Sequence, residues 1–332
     1  MSAQVSTKLA TSELTSKPRA VGGCPHHAAV LATPAASQLK ALPTDALETA
    51  RATVRRENGG RTGILLVNHG SRSPVWRKQL LDVQAEVAEY LLNIADVAQV
   101  RTGFMEYTEP SIATQLREMD ASGIERVLVI PLLLTISDHS FDDIPAICGQ
   151  TDDRDLVARL ASENIAIYRP SAQVSFAPLL DFSGLVRTNL VRRARPLLGQ
   201  DPSKTGLVLV GYGSAEYDDD WQAFFGETRA AAEADLGIEA SAHAWCGHLV
   251  DYRRTPTLEA INEMLERTDR VVVLPQLVSY DPMFQERLIG RAVRECADPS
   301  RVLYTNDAIL PEPAVGQWVV QIASQMLGTV PV

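Results

Sequence analysis

The chain has 332 residues, of which 45% are hydrophobic and 22% charged, with a formal net charge of −10. Its length suits two domains of roughly 130 residues each, and its acidity argues against general nucleic-acid binding, which needs a basic surface. No apolar run is long enough to cross a membrane, and the N-terminus lacks the basic-then-apolar order of a secretion signal, so we expect a cytoplasmic protein without membrane contact.

Residues 1–60 are rich in Ala, Ser, Thr and Pro and show little periodicity, which predicts a flexible N-terminal extension. Residues 46–56 within it have the pattern of a short helix. The run Cys24-Pro-His-His27 is either a transient metal or haem contact or an incidental part of a mobile segment, and we favour the second interpretation.

The four cysteines are scattered and form no C-x-x-C pair: Cys24, Cys148, Cys246 and Cys296. This spacing argues against a disulfide framework, a zinc knuckle or an iron–sulfur site. We expect reduced and mostly buried thiols.

Continuous apolar runs, typical of strands buried on both faces of a parallel sheet, occupy residues 64–67, 127–134, 207–210 and 271–277. Weaker strands are predicted near residues 99–104, 165–168, 240–245 and 302–305. Amphipathic helical segments such as residues 76–92 and 258–265 lie between the strands. The order of strands and helices predicts an α/β fold.

The sequence contains an internal duplication. Residues 63–71 and 206–214 nearly repeat each other at an offset of 143, and residues 126–131 and 270–275 do so at an offset of 144. We therefore predict two tandem, doubly wound parallel-sheet lobes, 61–198 and 199–332, following the extension 1–60.

Three metal-ligating side chains follow successive strands of the first lobe. His69 comes after the first strand, Glu106 after the second and His139 just after the third. Because the carboxyl ends of parallel strands form the ligand crevice of an open α/β sheet, we expect these residues to converge there. Two imidazoles and a carboxylate suit first-row divalent ions and leave coordination positions open. Each residue taken singly is more typical of a cap or a solvated turn.

The second lobe strengthens this interpretation. Alignment of the two copies puts Tyr212 opposite His69 and Met283 opposite His139. The loss of both imidazoles together is expected if they serve one shared task.

Three motifs in order resemble the class II tetrapyrrole chelatases, which insert cobalt, iron or nickel into sirohydrochlorin. They are Asn68-His-Gly-Ser-Arg72, then Gly103-Phe-Met-Glu-Tyr-Thr-Glu-Pro-Ser111, and finally Val129-Ile-Pro-Leu-Leu-Leu134 followed by Asp138-His139 and Asp143-Ile-Pro145. The resemblance covers most of residues 64–170, with a degenerate copy in the rest of the chain.

The resemblance implies that His69, Glu106 and His139 hold a divalent metal ion, the substrate, in a cleft between the lobes where the flat macrocycle also lies. No organic cofactor is implied. The same side chains can accept the pyrrole protons once they release the metal. Because both lobes lie in one chain, we expect an active monomer.

A carboxylate-rich macrocycle requires cations and hydrogen-bond donors in the cleft. The candidates for contact with it are Ser71, Arg72, Tyr212, Ser214, Arg253, Arg254, Tyr280 and Arg287. The arginines are equally consistent with surface ion pairs. Asp138, next to His139, departs from the glycine-rich approach expected of the family, and it either binds metal, steers it or orients His139.

Other functions stay open. A non-catalytic metal or tetrapyrrole carrier would keep the ligand set, and a ferrochelatase acting on a porphyrin would share the two-lobed architecture. A hydrolase using Ser71 is disfavoured because no G-x-S-x-G elbow is present. A dinucleotide-binding enzyme is disfavoured because Gly211-Tyr-Gly213 lacks the third glycine of that fingerprint.

Overall fold

Two sheets organise the protein, which we describe from a computed structural model for residues 53–55, 61–133, 142–178 and 182–328. The first sheet has the strand order β1-β3-β2-β4-β5, in which β1 is antiparallel to β3 and the other pairs are parallel. Its strands are β1 (Thr53–Arg55), β2 (Thr62–Asn68), β3 (Val97–Phe104), β4 (Arg126–Pro131) and β5 (Gln173–Phe176).

The second sheet has the order β7-β6-β8-β9, and all of its pairs are parallel. Its strands are β6 (Thr205–Gly211), β7 (Ala240–Trp245), β8 (Arg270–Pro275) and β9 (Val302–Tyr304). In each sheet the first strand of the repeat pairs with the next two strands of its own copy, so the duplication seen in the sequence is also a duplication of topology.

Helices cover both sheets. They are α1 (Pro74–Leu92), α2 (Ile112–Ala121), α3 (Ile144–Ile147), α4 (Arg154–Ser162), α5 (Phe182–Ala194), α6 (Asp218–Leu236), α7 (Thr255–Arg267), α8 (Gly290–Glu295) and α9 (Pro313–Met326). A π-helical segment, Met283–Ile289, leads directly into α8. Ser73 caps α1 and Ser111 caps α2, because each side chain accepts a backbone N–H of the first helical turn.

The central strands are buried along their whole length, which confirms the prediction of two doubly covered parallel sheets. Every residue of β2, β3 and β6 is buried. Some polar residues within the first sheet are paired inside the lobe, as where Arg101 donates to Gln99 and Gln115.

Two local predictions were wrong. Residues 165–168 form no strand, because the edge position beside β4 is taken by β5, and Ile165 instead packs into the core of the first lobe. The helix predicted over residues 46–56 is wrong for Thr53–Arg55, because these residues form strand β1 and pair with β3. The rest of that predicted helix, like Cys24 and its neighbours, lies outside the described residues.

Each sheet takes a helix from the other part of the chain. Helix α9, at the C-terminal end, packs on α1, and its buried Val315, Val319 and Ala323 belong to the apolar cluster of the first lobe. Helix α5 packs on the second sheet through Leu190 and Ala194. The division at residues 198 and 199 remains a prediction, while the packing of α5 and α9 ties the two lobes together.

Cys148, Cys246 and Cys296 are free thiols and buried. Burial raises the pKa of Cys148 to about 12 and that of Cys246 further still, so these groups stay protonated at neutral pH and are poor metal ligands. Among the described helices, none combines the length and apolar character needed to span a bilayer.

Candidate functional site

The backbone hydrogen bonds between β2 and β3 continue beyond the ends of the strands and place His69 beside Glu106. Met105 donates its backbone N–H to the Asn68 carbonyl at 2.8 Å, and Glu106 donates to the His69 carbonyl, also at 2.8 Å. His69 and Glu106 therefore lie on adjacent strand ends at the carboxyl edge of the sheet, as the sequence predicted.

Gly70 makes this close approach possible. Its φ is +97°, and a Cβ atom at this position would lie 2.1 Å from the Glu106 carbonyl oxygen. Only glycine fits, because any side chain would collide with backbone in a conformation that L-residues already disfavour. The turn after β2 therefore packs directly against the backbone of Glu106.

The polar groups at this edge have unsatisfied hydrogen-bonding capacity. Glu106 is only 6% exposed, and its Oε2 atom has no hydrogen-bond partner among the residues that the structure describes. Asn68 is fully buried, and neither of its amide atoms is bonded within the same described ranges. Since buried polar atoms are nearly always paired, an unpaired carboxylate oxygen marks a place suited to a cation.

His69 is half-buried, and its Nδ1 lies 3.1 Å from the Gly70 carbonyl oxygen. An imidazole that donates from Nδ1 carries its lone pair on Nε2, which is the form that binds metals. The Tyr107 ring, in the next position after Glu106, lies 5.9 Å from the His69 ring. Together these contacts orient an imidazole and a carboxylate at one edge.

The predicted third ligand, His139, and its neighbour Asp138 lie outside the described residues. Within residues 61–133, 142–178 and 182–328, no group of three or more His, Cys, Asp or Glu side chains is placed to hold a metal ion. The three-residue ligand set therefore remains a prediction.

The second lobe repeats the backbone of this edge without its chemistry. Cys246 donates to the Gly211 carbonyl at 3.0 Å and Gly247 to the Tyr212 carbonyl at 2.9 Å. Tyr212 thus occupies the ladder position of His69, and Gly247 that of Glu106. The alignment of the two copies gave counterparts for His69 and His139 but none for Glu106; the register shows that the carboxylate is lost as well.

The carboxyl edges of the two sheets meet. Ser71 donates its hydroxyl to Asp281 Oδ2 at 2.9 Å, which joins the turn after β2 to the turn after β8. Beside it, Gln79 Oε1 accepts from Ser279 Oγ at 2.5 Å and from Tyr280 N at 2.8 Å. The site edge of the first lobe therefore faces the corresponding edge of the second.

The predicted substrate contacts have varied surroundings. Arg72 is exposed, with its guanidinium 5.4 Å from the Tyr107 ring centre. Arg254 forms an ion pair with Glu295 of α8, and the exposed Arg253 lies 3.8 Å from Asp251.

On the second lobe, Tyr280 donates its hydroxyl to Glu286, a bond that raises the pKa of Tyr280 to about 12. Ser214 is half-buried after β6. Arg287 borders an open groove of about 730 Å³ between the π-helical segment and β9.

Several residues at this edge escaped the sequence analysis. Asp281 and Gly247 are two, and the aromatic residues that surround Tyr212 are others. For Gly247 a signal existed, because positions 106 and 247 are 141 residues apart, close to the offset of the two strand repeats.

Comparison with known proteins agrees with this architecture. A profile of the CbiX family matches residues 63–197. Sirohydrochlorin cobaltochelatase of Methanopyrus kandleri is 34% identical over 144 residues, which is 42% of this chain and 98% of that protein. The cobaltochelatase of the same name from Saccharolobus solfataricus is 30% identical over 131 residues, 40% of this chain and 91% of that protein.

Among solved structures, the sirohydrochlorin chelatase SirB from Bacillus subtilis subspecies spizizenii, in complex with cobalt, has the same fold. The match has a TM-score of 0.57 at 21% identity and covers 81% of this chain and 96% of that one. The fold defines a two-lobed α/β protein. Its first lobe carries His69 and Glu106, residues of the kinds that bind metals, at the carboxyl edge of the sheet. The chain belongs to the CbiX family.

Proposed function

We propose that this protein is a metal chelatase that inserts a divalent metal ion into sirohydrochlorin or a closely related tetrapyrrole, with His69, Glu106 and His139 as the metal-handling residues. One observation carries this proposal: the buried, unpaired Glu106 carboxylate beside the His69 imidazole, at the edge where the lobes meet. The sirohydrochlorin cobaltochelatases among its relatives support the reaction.

The ligand set suits a metal that must be released again. Imidazole and carboxylate bind Co²⁺, Fe²⁺ and Ni²⁺ without the permanence of a thiolate cage, and three protein ligands leave positions for the incoming ring nitrogens. Cobalt is the first metal to test, because the named relatives are cobaltochelatases.

Insertion also requires two pyrrole N–H protons to leave as the metal enters. A carboxylate or imidazole that has lost its metal becomes a base next to the ring. Glu106 is well suited to this task, because its Oε2 atom holds no hydrogen bond that proton transfer would break. Asp138 would orient His139 or steer the metal.

The rest of the proposed site holds the macrocycle. Arg72, Arg253, Arg254 and Arg287 supply cations for its carboxylates, Ser71 and Ser214 supply hydroxyls, and Tyr212 and Tyr280 supply aromatic faces. Arg254 would have to exchange its bond to Glu295 for one to substrate, so we expect it to contribute less than Arg72. Because the lobes contact each other within one chain, we propose that the monomer is active.

The test is anaerobic absorbance spectroscopy of sirohydrochlorin with Co²⁺, Fe²⁺ or Ni²⁺ above the uncatalysed rate. The wild-type protein should complete multiple turnovers, and the His69→Ala/His139→Ala double variant should complete none while keeping the wild-type circular dichroism spectrum. A spectral shift on binding without turnover by the wild type would instead identify a carrier. Turnover confined to a dimer fraction on gel filtration would contradict the active monomer.

A further inference from the structure

The position of Tyr212 in the second lobe depends on the loss of the carboxylate found in the first. A Cβ atom on Gly247 would lie 2.6 Å from the Tyr212 carbonyl oxygen and 2.8 Å from the ring atoms Cδ1 and Cγ. The Tyr212 ring therefore lies over Gly247, in the space where a glutamate side chain would begin. The replacements of His by Tyr and of Glu by Gly are sterically coupled.

Tyr212 is the centre of a cluster of four rings, which we call the aromatic platform: Tyr212, His248, Tyr252 and Phe284. The Tyr212 ring centre lies 5.3 Å from that of His248, 5.7 Å from Phe284 and 6.4 Å from Tyr252, at edge-to-face angles of 65°, 66° and 76°. The hydroxyls of Tyr212 and Tyr252 are 3.0 Å apart and hydrogen-bonded. These separations lie in the favourable range for aromatic pairs.

The aromatic platform lies at the edge of the second sheet that corresponds to the candidate metal site in the first. Tyr212 stands at the ladder position of His69, and Phe284 follows closely on Asp281, which bonds to Ser71 of the first lobe. Tyr212 and Phe284 pack against the hydrophobic core of the second lobe, and all four rings are half-buried, so each keeps part of its surface exposed.

We propose that the aromatic platform is the surface on which the flat face of the tetrapyrrole stacks, while His69 and Glu106 act on the ring from the opposite side. This inference rests on the proposed function. It makes the two lobes chemically unequal: one delivers metal and accepts protons, and the other holds one face of the macrocycle. The metal then enters from a single face.

The test is a fluorescence titration of the metal-free protein with sirohydrochlorin in the presence of a metal chelator. Tyr212→Leu and Phe284→Leu each remove an aromatic ring while keeping apolar bulk, and each should raise the Kd about tenfold, in line with the energy of a stacking contact. Tyr212→Phe keeps the ring and loses the hydroxyl with its bond to Tyr252, so its Kd should stay within about twofold of wild type.

Phe224→Leu is the matched control. Phe224 is another half-buried aromatic residue of the same lobe, on α6, in ring contact with Trp221 and Phe225 outside the platform. We expect it to leave the Kd unchanged. Wild-type affinity in a folded Tyr212→Leu variant would overturn the proposal, as would equal weakening by Phe224→Leu.

The His69→Ala variant separates this inference from the proposed function. It should bind the metal-free macrocycle as tightly as wild type and fail to insert metal. If the wild type binds the macrocycle through Tyr212 and inserts no metal, the platform stands and the proposed enzyme activity fails. If the wild type inserts metal and the platform variants bind the macrocycle normally, the proposed enzyme activity stands and the aromatic platform is not the binding surface.

Discussion

Ser71 and Asp281 lie 210 residues apart in the chain and join its two lobes through one hydrogen bond of 2.9 Å. Each partner is also fixed within its own turn, because Ser71 Oγ accepts from Ser73 N and Asp281 Oδ1 accepts from Met283 N. His69 lies only two residues before Ser71. The contact therefore links the position of the candidate metal ligand to the turn of the opposite lobe.

This bond predicts energetic coupling between the two positions. Ser71→Ala and Asp281→Ala should each lower stability and insertion rate, and the double variant should show a coupling free energy of about 1.5 kcal/mol in urea unfolding, as expected for a hydrogen bond to a charged group. Ser122→Ala, which removes an exposed hydroxyl that donates to the Glu118 carbonyl, is the control and should be nearly neutral. Strict additivity of the two single changes would show that the contact is dispensable.

Gly70 offers a second prediction. Comparison with Gly123 separates the cost of a positive φ from the cost of a steric clash, because only Gly70 has atoms close to its Cβ position. Gly70→Ala should cost clearly more than Gly123→Ala, since Gly123 has a comparable φ of +76° but nothing within 4 Å of its Cβ position. We expect about 1 kcal/mol for Gly123→Ala from backbone strain alone. Gly70→Ala should exceed it by several kcal/mol and abolish insertion. Equal losses in urea unfolding would mean that the turn accommodates a side chain.

Substitution of Glu106 by Gln should lower the activity without lowering the stability. The buried Oε2 atom of Glu106 lacks a hydrogen-bond partner among the described residues, and a neutral amide costs less to bury than a carboxylate. Glu106→Gln should therefore leave the free energy of unfolding unchanged or raise it by about 1 kcal/mol. The same change should reduce cobalt insertion at least ~100-fold, because the amide is a poorer ligand and no base. A large loss of stability with activity retained would indicate a structural carboxylate instead.

His243 predicts a pH dependence. Burial, followed by the charge of Arg229, lowers the pKa of His243 below its ordinary 6.5, and the weaker influence of Asp218 opposes this. The neutral ring fits its contacts, since Nε2 donates to Gln222 and Nδ1 lies 3.1 Å from Arg229.

The unfolded chain therefore binds the proton more tightly than the folded one, and stability should fall as the pH drops through about 6.5. His243→Gln should remove this component, which is measured as the difference between the two proteins in urea unfolding from about pH 8 to about pH 5. Parallel pH profiles for the two proteins would contradict the assignment.

Much of the fold follows from local pattern. The continuous apolar runs located the central strands because burial on both faces leaves no alternation to confuse with a helix. The edge strand β5 was missed because its residues are alternately exposed and half-buried, whereas residues 165–168 are apolar for packing rather than pairing. The packing of α9 on the first lobe and of α5 on the second sheet could not be predicted either. Periodicity shows which face of a helix is apolar but not which sheet that face packs against.

The site was only partly accessible from sequence. His69 and Glu106 could be placed because strand ends and ligand chemistry are both visible in the residues. The 141-residue separation of Glu106 and Gly247 indicates that the two positions correspond. It does not show the close contact of Gly247 with Tyr212 or the bond between Ser71 and Asp281, because these join residues that only the folded chain brings together.

Steady-state cobalt insertion into sirohydrochlorin by the wild type, His69→Ala and Tyr212→Leu tests the division of labour between the lobes most directly. We predict that His69→Ala loses kcat by at least ~100-fold, while Tyr212→Leu raises KM about tenfold with kcat nearly unchanged. A His69→Ala variant with wild-type kcat, or a Tyr212→Leu variant impaired only in kcat, would contradict the account.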